Sequence, residues 1–146
     1  MRASVTLRGE QAEFSRLQAF AEQFAYENGL PDDELSRLLV ILEELFTNAV
    51  MHGDGPHSTE RNVIVALGWR RGRLGISFVD DGQPFDPLAF RGPDLERAAQ
   101  ERTLGGLGIH IVRSLVHQAR YRRDGGRNHL HLVRRIGLRG TAGGCV

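Results

Sequence analysis

From Pro31 to Gly53 the chain carries one long run of helical periodicity, and its core, Leu42–Gly53, reads LEELFTNAVMHG. Leu38, Leu42, Leu45, Phe46 and Ala49 recur at three- and four-residue steps, so they form one buried stripe. Glu44, Asn48 and His52 also recur every four residues. Each step of four advances about 40° around a helix, so these side chains form a second row beside the apolar one. A carboxylate and an amide rooted in a packed helix make an oxygen-rich ledge. Such a ledge suits a small hard cation and the proton of an attacking hydroxyl. Glu and Asn also commonly edge a solvated face, so this helix alone leaves both readings open.

The rest of the chain supplies the other layer. Ser4–Leu7 alternates as a short strand, and Glu10–Asn28 is an amphipathic helix stopped by Gly29. Pro31 and the acids Asp32, Asp33 and Glu34 open the long helix. Asn62–Arg70 and Arg73–Asp80 alternate around Arg71-Gly72 as a hairpin. After Asp81 the pattern fails until Leu104. Such a stretch is more often a lid or binding loop than filler, and it has room for a short helix at Asp94–Gln100. A helix over Gly106–Gln118 follows, with Ile109, Val112, Leu115 and Val116 inward. Strands Arg120–Arg123 and Asn128–Ile136 close the chain around Asp124-Gly125-Gly126. The order β-α-α-β-β-α-β-β predicts an α/β two-layer sandwich (α+β). Its sheet is expected to be mixed and mainly antiparallel, with the helices on one face.

Composition narrows the chemistry. The chain has 146 residues and a formal net charge of +1, so no bulk field argues for nucleic acid or membrane. One domain is expected over residues 1–136, with a frayed glycine-rich tail at 137–146. Every lysine-or-arginine position is arginine, which excludes a Walker lysine or a Schiff-base lysine. The one cysteine, Cys145, cannot form a disulfide within the chain. With no apolar signal core in MRASVTLRGE and no apolar run long enough to span a bilayer, the expectation is a cytoplasmic protein. The six histidines do not pair with cysteine or carboxylates at ligand spacing, so no zinc site is expected. Arg120, Arg122, Arg123, Arg134 and Arg135 on the last hairpin read as solvated edge protection.

Two further stretches carry chemistry. FVDDGQPFDP, residues 78–87, ends a strand in Asp80 and follows it with Asp81 and Gly82. A carboxylate fixed there can accept a hydrogen bond from an amino group, and glycine lets a flat ligand approach the backbone. TLGGLGIHIV, residues 103–112, places Gly105, Gly106 and Gly108 at a helix start, where backbone N–H groups and the helix dipole favour an anion. Alone, each pattern is equally compatible with an ordinary turn or hinge. Together they supply a metal ledge with a base, a base-edge reader and a phosphate cradle. These are the parts of a nucleotide triphosphate site that lacks a Walker lysine.

At these residues a resemblance becomes specific. EELFTNAVMHG resembles the N box of the GHKL ATPases, the Bergerat-fold superfamily of gyrase, heat-shock chaperones and histidine kinases. VDDGQPFDP resembles its first glycine box and LGGLGIHIV its second, in matching order and spacing. Pro84 replaces a glycine common in the superfamily, and proline there is a mark of the anti-sigma-factor serine/threonine kinases. The resemblance implies ATP and Mg²⁺ as cofactors, with Asn48 on the metal and Glu44 as general base. It implies Asp80 and Gly82 at the adenine, and Gly105, Gly106, Leu107 and Gly108 around the phosphates. His52 matches a recurrent histidine after the N box, for which bonding the loop is expected rather than chemistry. Lid arginines Arg91, Arg97 and Arg102 are candidates to neutralise the transferred group. No dimerisation helix pair precedes these motifs, which argues against a histidine-kinase phosphoacceptor.

The function implied is an ATP-dependent protein serine/threonine kinase. Its substrate would be a STAS-domain anti-anti-sigma factor, and its second partner a sigma factor or equivalent target that it sequesters. A homodimer is plausible by analogy, without nucleic acid or membrane as partners. The alternatives are a nucleotide-regulated binding protein without transfer activity, or the ATPase module of another signalling complex.

Overall fold

The computed structural model describes residues 1–52, 61–89 and 106–137. The loop after His52, Gly105, the lid arginines Arg91, Arg97 and Arg102, and the helix expected at Asp94–Gln100 lie outside the described residues, as does the tail from residue 138 onward. The described strands are β1 (Arg2–Arg8), β2 (Asn62–Arg70), β3 (Arg73–Asp80), β4 (Gln118–Asp124) and β5 (Arg127–Arg135). They form one sheet in the order β1-β2-β3-β5-β4.

All four described pairings are antiparallel, where the sequence allowed a mixed sheet. The reason is topological. β3 and β4 do run in the same direction across a helical connection. The last strand, β5, enters between them and makes both contacts antiparallel.

The described helices of the second layer are α1 (Phe14–Asn28), α2 (Asp32–His52) and α3 (Gly106–Leu115). Strand alternation sends Val63, Val65 and Leu67 of β2, Leu74, Ile76 and Phe78 of β3, and Leu130 and Leu132 of β5 inward. They meet Leu17, Ala21 and Phe24 of α1, the Leu38–Phe46 stripe of α2, and Ile109 and Val112 of α3 in one core. Each such side chain contributes about 1.5–3 kcal/mol on burial.

Local chemistry sets the boundaries. Gly29 adopts φ 66° and caps α1 through its N–H to the Ala25 and Tyr26 carbonyls. The Pro31 carbonyl accepts the Glu34 and Leu35 N–H groups and starts α2. A 3-10 turn, Gln11–Glu13, occupies what was expected as the first turn of α1. The final hairpin is tighter than the sequence suggested. Gly125 and Gly126 alone form the turn, both at positive φ, so Asp124 and Arg127 pair within the ladder. α3 ends at Leu115 rather than Gln118, because the His117 N–H already bonds Val133 and the chain has joined the sheet.

Candidate functional site

The inner ends of β3 and β5 open beside the last turns of α2. There a cavity with about 420 Å³ of space, continuous with solvent, lies between the two layers. α2 contributes Leu45, Asn48, Ala49 and His52; β3 contributes Phe78 and Asp80; the loop after β3 contributes Gln83, Phe85 and Pro87. Ile109 of α3, Tyr121 of β4 and Asn128 and Leu130 of β5 complete the wall. Its apolar walls and few convergent polar groups are the composition of a small-molecule site.

Asp80 is held in one orientation. Its Oδ1 accepts the Gly82 N–H at 3.0 Å and the Asn128 amide at 3.0 Å. Among the described residues no hydrogen bond engages Oδ2. Burial pushes the Asp80 carboxyl above the usual aspartate range and Asp81 adds to the rise, while the bonds from Asn128 and Gly82 and the charge of Arg123 pull it back. Gly82 is buried, and its carbonyl accepts the Arg123 guanidinium at 2.7 Å.

Asn128 was missed by sequence reasoning, yet it organises this corner. It pairs directly with Asp80 across the strands and is only 5% exposed. Its Nδ2 donates to Asp80 and to the Gln83 carbonyl at 2.8 Å. Its Oδ1 accepts the Phe85 N–H at 3.2 Å and the Tyr121 hydroxyl at 2.6 Å. One fully satisfied amide thus fixes both the carboxylate and the loop after it. The signal was present in the strand phase: Asn128 shares the inward parity of Leu130 and Leu132.

Asn48 lies across the cavity, 6% exposed, and its Nδ2 has no hydrogen-bond partner. An orphaned buried amide at a cavity wall is a group that a ligand or ordered solvent would satisfy. Among the described residues no cluster of three or more His, Cys, Asp or Glu side chains could hold a metal. A cation at Asn48 would therefore take its remaining oxygens from ligand and water, as Mg²⁺ at phosphates does. His52 meets the loop as expected, but by stacking on Phe85 rather than by bonding: the rings lie 4.4 Å apart at 6°, and Nε2 is unpartnered.

Glu44 stands one turn before Asn48 on α2 and faces the first turn of α3. A Cβ on Gly108 would collide with the Glu44 carboxylate, whose Cδ would lie 2.7 Å away. Any larger residue at this position would displace the Glu44 carboxylate from where it sits. Burial, and then the charge of Glu43, raise the Glu44 carboxyl above the usual range. Glu43 itself is exposed. Gly106 and Leu107 form the start of the α3 backbone. The structure thus brings Asn48 and Asp80 to one cavity, leaves Gly82 bonded to Asp80 but outside the lining, and puts Glu44 and Gly108 in contact with each other.

The chain is similar to known proteins. Residues 7–134 match the histidine kinase-like ATPase domain. The serine/threonine-protein kinase BtrW of Bordetella bronchiseptica is 28% identical over 96 residues, which is 66% of this chain and 67% of that protein. Among solved structures, the RsbU and RsbW domains of a Mycobacterium tuberculosis protein superpose with a TM-score of 0.66 at 19% identity over 93% of this chain. The kinase domain of a blue-light-activated histidine kinase from Erythrobacter litoralis gives 0.55 at 17% over 86%. This chain spans 32% of the first of those structures and 60% of the second, and at such identities the likeness speaks for the fold. With the match running from β1 to β5, the chain belongs to the histidine kinase-like ATPase domain family, and its fold is that of the GHKL anti-sigma-factor kinases.

Proposed function

We propose that this protein is an ATP-dependent protein kinase that phosphorylates a serine or threonine hydroxyl on a STAS-domain antagonist, and that it sequesters a sigma factor or equivalent target in a partner-switching system. The observation that carries this reading is the meeting of three separate sequence motifs around one cavity. Asn48 and Asp80 line it, while Glu44 touches Gly108 beside it.

The roles follow from the chemistry of each position. Asp80 presents Oδ2 to the adenine amino group, with Oδ1 held by Asn128 and Gly82. Phe78, Ile109 and Leu130 supply the apolar walls for the ring. Asn48 would hold Mg²⁺, which when bound supplies charge neutralisation at the phosphates. The free N–H groups at the start of α3, with Gly105, Gly106, Leu107 and Gly108, would cradle the phosphate oxygens. Glu44 accepts the proton of the attacking hydroxyl as its oxygen bonds to the γ-phosphorus and the bond to the β-phosphate oxygen breaks. A carboxyl raised above its ordinary range is a stronger base for that step.

The test is phosphoryl transfer from γ-labelled ATP to STAS-domain proteins of the source organism, with wild type and Glu44→Ala. We expect a labelled serine or threonine, lost by roughly 10²–10⁴-fold in the variant, with ATP binding retained. Transfer that persists in Glu44→Ala would remove Glu44 as the base. ATP binding without any labelled protein would leave nucleotide-regulated sequestration as the function.

A further inference from the structure

The cavity uses only the inner side of the sheet. No described element covers the outer side, where three complete rows cross all five strands. They are Thr6–Ile64–Val79–His129–Arg122, Ser4–Ala66–Ser77–His131–Arg120 and Arg2–Gly68–Gly75–Val133–Gln118. Within these rows β2 and β3 carry small or apolar residues, β5 carries His129, His131 and Val133, and none of the three strands carries Asp, Glu or Arg. Arginines frame them: Arg2 and Arg8 on one edge strand, Arg120 and Arg122 on the other, and Arg70 and Arg73 across the hairpin end. Among the described residues, Arg122 alone of these six makes an ion pair, an exposed one with Asp124 at 3.9 Å. Asp81 and Asp124, both at the far end, are the only acids at this face among the described residues. The acids sit instead on the helical layer, at positions such as Glu22, Glu27, Asp32 and Glu43. An overall charge of +1 therefore hides a basic face opposite an acidic one.

The floor of this face is open as well as uncharged. Gly68 and Gly75 pair directly across the strands without positive φ, so neither needs to be glycine for its backbone. A Cβ at Gly68 would meet only the Met1 carbonyl at 4.0 Å. At Gly75 it would meet only His131 and the Gly68 carbonyl, both at 3.9 Å. Glycine weakens a strand, and where the fold does not require it, it marks close approach by another chain. An uncharged floor inside a charged rim is the anatomy of a protein interface.

We propose that this outer sheet face docks a partner protein through an amphipathic helix whose apolar ridge lies on Ala66, Gly68, Gly75 and Ser77 and whose acidic flanks meet the framing arginines. Charge complementarity selects the occupant. Face-to-face pairing with a second copy would set two arginine frames against each other. Single-stranded nucleic acid fits less well: the three rows offer no Phe, Tyr or Trp, and the rings on which bases could stack are confined to His129 and His131 of one strand. The assignment is independent of the nucleotide site, which lies on the opposite side of the same strands.

The test uses a helical peptide of about 18 residues, long enough at ~1.5 Å per residue to cross five strands. It carries a Leu/Ala ridge flanked by Glu, and its twin has Lys in place of Glu. Binding is read from amide shifts of the labelled full chain. The Glu peptide should bind and perturb Ala66, Gly68, Gly75 and Ser77, while the Lys twin should not. Gly75→Tyr, and separately the pair Arg120→Glu and Arg122→Glu, should each weaken binding at least about tenfold, with ATP binding and melting temperature unchanged. The double variant keeps the test valid if tyrosine disturbs the strand. Equal binding by both charge variants, or shifts elsewhere, would overturn the proposal. A wild-type dimer in sedimentation that either variant dissolves would give the face to a second copy. Perturbation of the same residues by an RNA homopolymer or by phosphatidylglycerol vesicles, with the peptide inert, would give it to another anion.

Discussion

Asp80 is a buried carboxylate that costs the fold stability when it is charged. Its folded-state carboxyl is raised, chiefly by burial, so its contribution to stability is fully present below the ordinary aspartate range. That contribution is lost as pH rises through the raised value. At neutral pH the residue is a buried charge that costs stability. Asp80→Asn keeps an oxygen for the Gly82 and Asn128 donors and removes the charge. We expect its melting temperature at pH 7 to exceed wild type, by roughly 2–4 °C for each kcal/mol recovered, with no gain below pH about 3.5. Calorimetry should show ATP binding weakened at least about 100-fold. A lower melting temperature at pH 7 would mean that the charge serves Arg123 more than it costs. Asp80, Asn48 and Glu44 were legible because periodicity and strand ends are written locally. Asn128 was legible only as a polar residue at an inward phase, since its four partners are assembled by strand order.

At the level of elements, one arginine ties three of them together. Arg134 of β5 grips Glu34 in the first turn of α2 with two hydrogen bonds, at 2.7 and 3.1 Å, and donates to the terminal Leu115 carbonyl of α3 at 2.6 Å. The Arg134 hydrogen bond, against burial and helped by the charges of Arg134 and Arg37, holds the Glu34 carboxyl below its usual range. The sequence reading of the last-hairpin arginines as solvated holds for Arg120, Arg122, Arg123 and Arg135, although Arg123 also bonds the Gly82 carbonyl, and fails for Arg134, which is turned inward. Alternation in β5 could have shown it, because Arg134 shares the parity of Leu132; what it would bond could not be read, since Glu34 is remote in the chain. Arg134→Ala leaves the buried Glu34 carboxylate with Arg37 as its remaining partner at 2.8 Å, and urea denaturation at pH 7 should show a loss of about 3 kcal/mol or less. A lowered folded-state value stabilises above the ordinary glutamate range and is lost as pH falls through it. The gap between wild type and variant should therefore narrow in acid. A gap constant with pH would assign the loss to packing alone.

For the whole molecule, the two-layer fold and the order of its elements were readable because hairpin turns and helix caps announce themselves. The all-antiparallel sheet was not, because the insertion of β5 between β3 and β4 leaves no local mark. A ligand held between the layers should stabilise the fold by mass action. ATP at about 100 times its dissociation constant should add about 2.7 kcal/mol, seen as a rise of several degrees in thermal melting. GTP at the same concentration should leave the midpoint unchanged, because guanine presents a carbonyl where adenine presents its amino group to Asp80. An equal shift with GTP would show that Asp80 does not read the base. The late insertion of β5 also governs how the protein is made. Synthesis runs from the N-terminus, so helices α1 to α3 and strands β1 to β4 leave the ribosome before Asn128 exists to orient Asp80. A nascent chain ending before Arg127 has neither the strand beside β3 nor the amide that sets the carboxylate. The proposed nucleotide pocket is thus completed by the last of the described strands to emerge, and a chain cut short at the β4–β5 hairpin would be released without it.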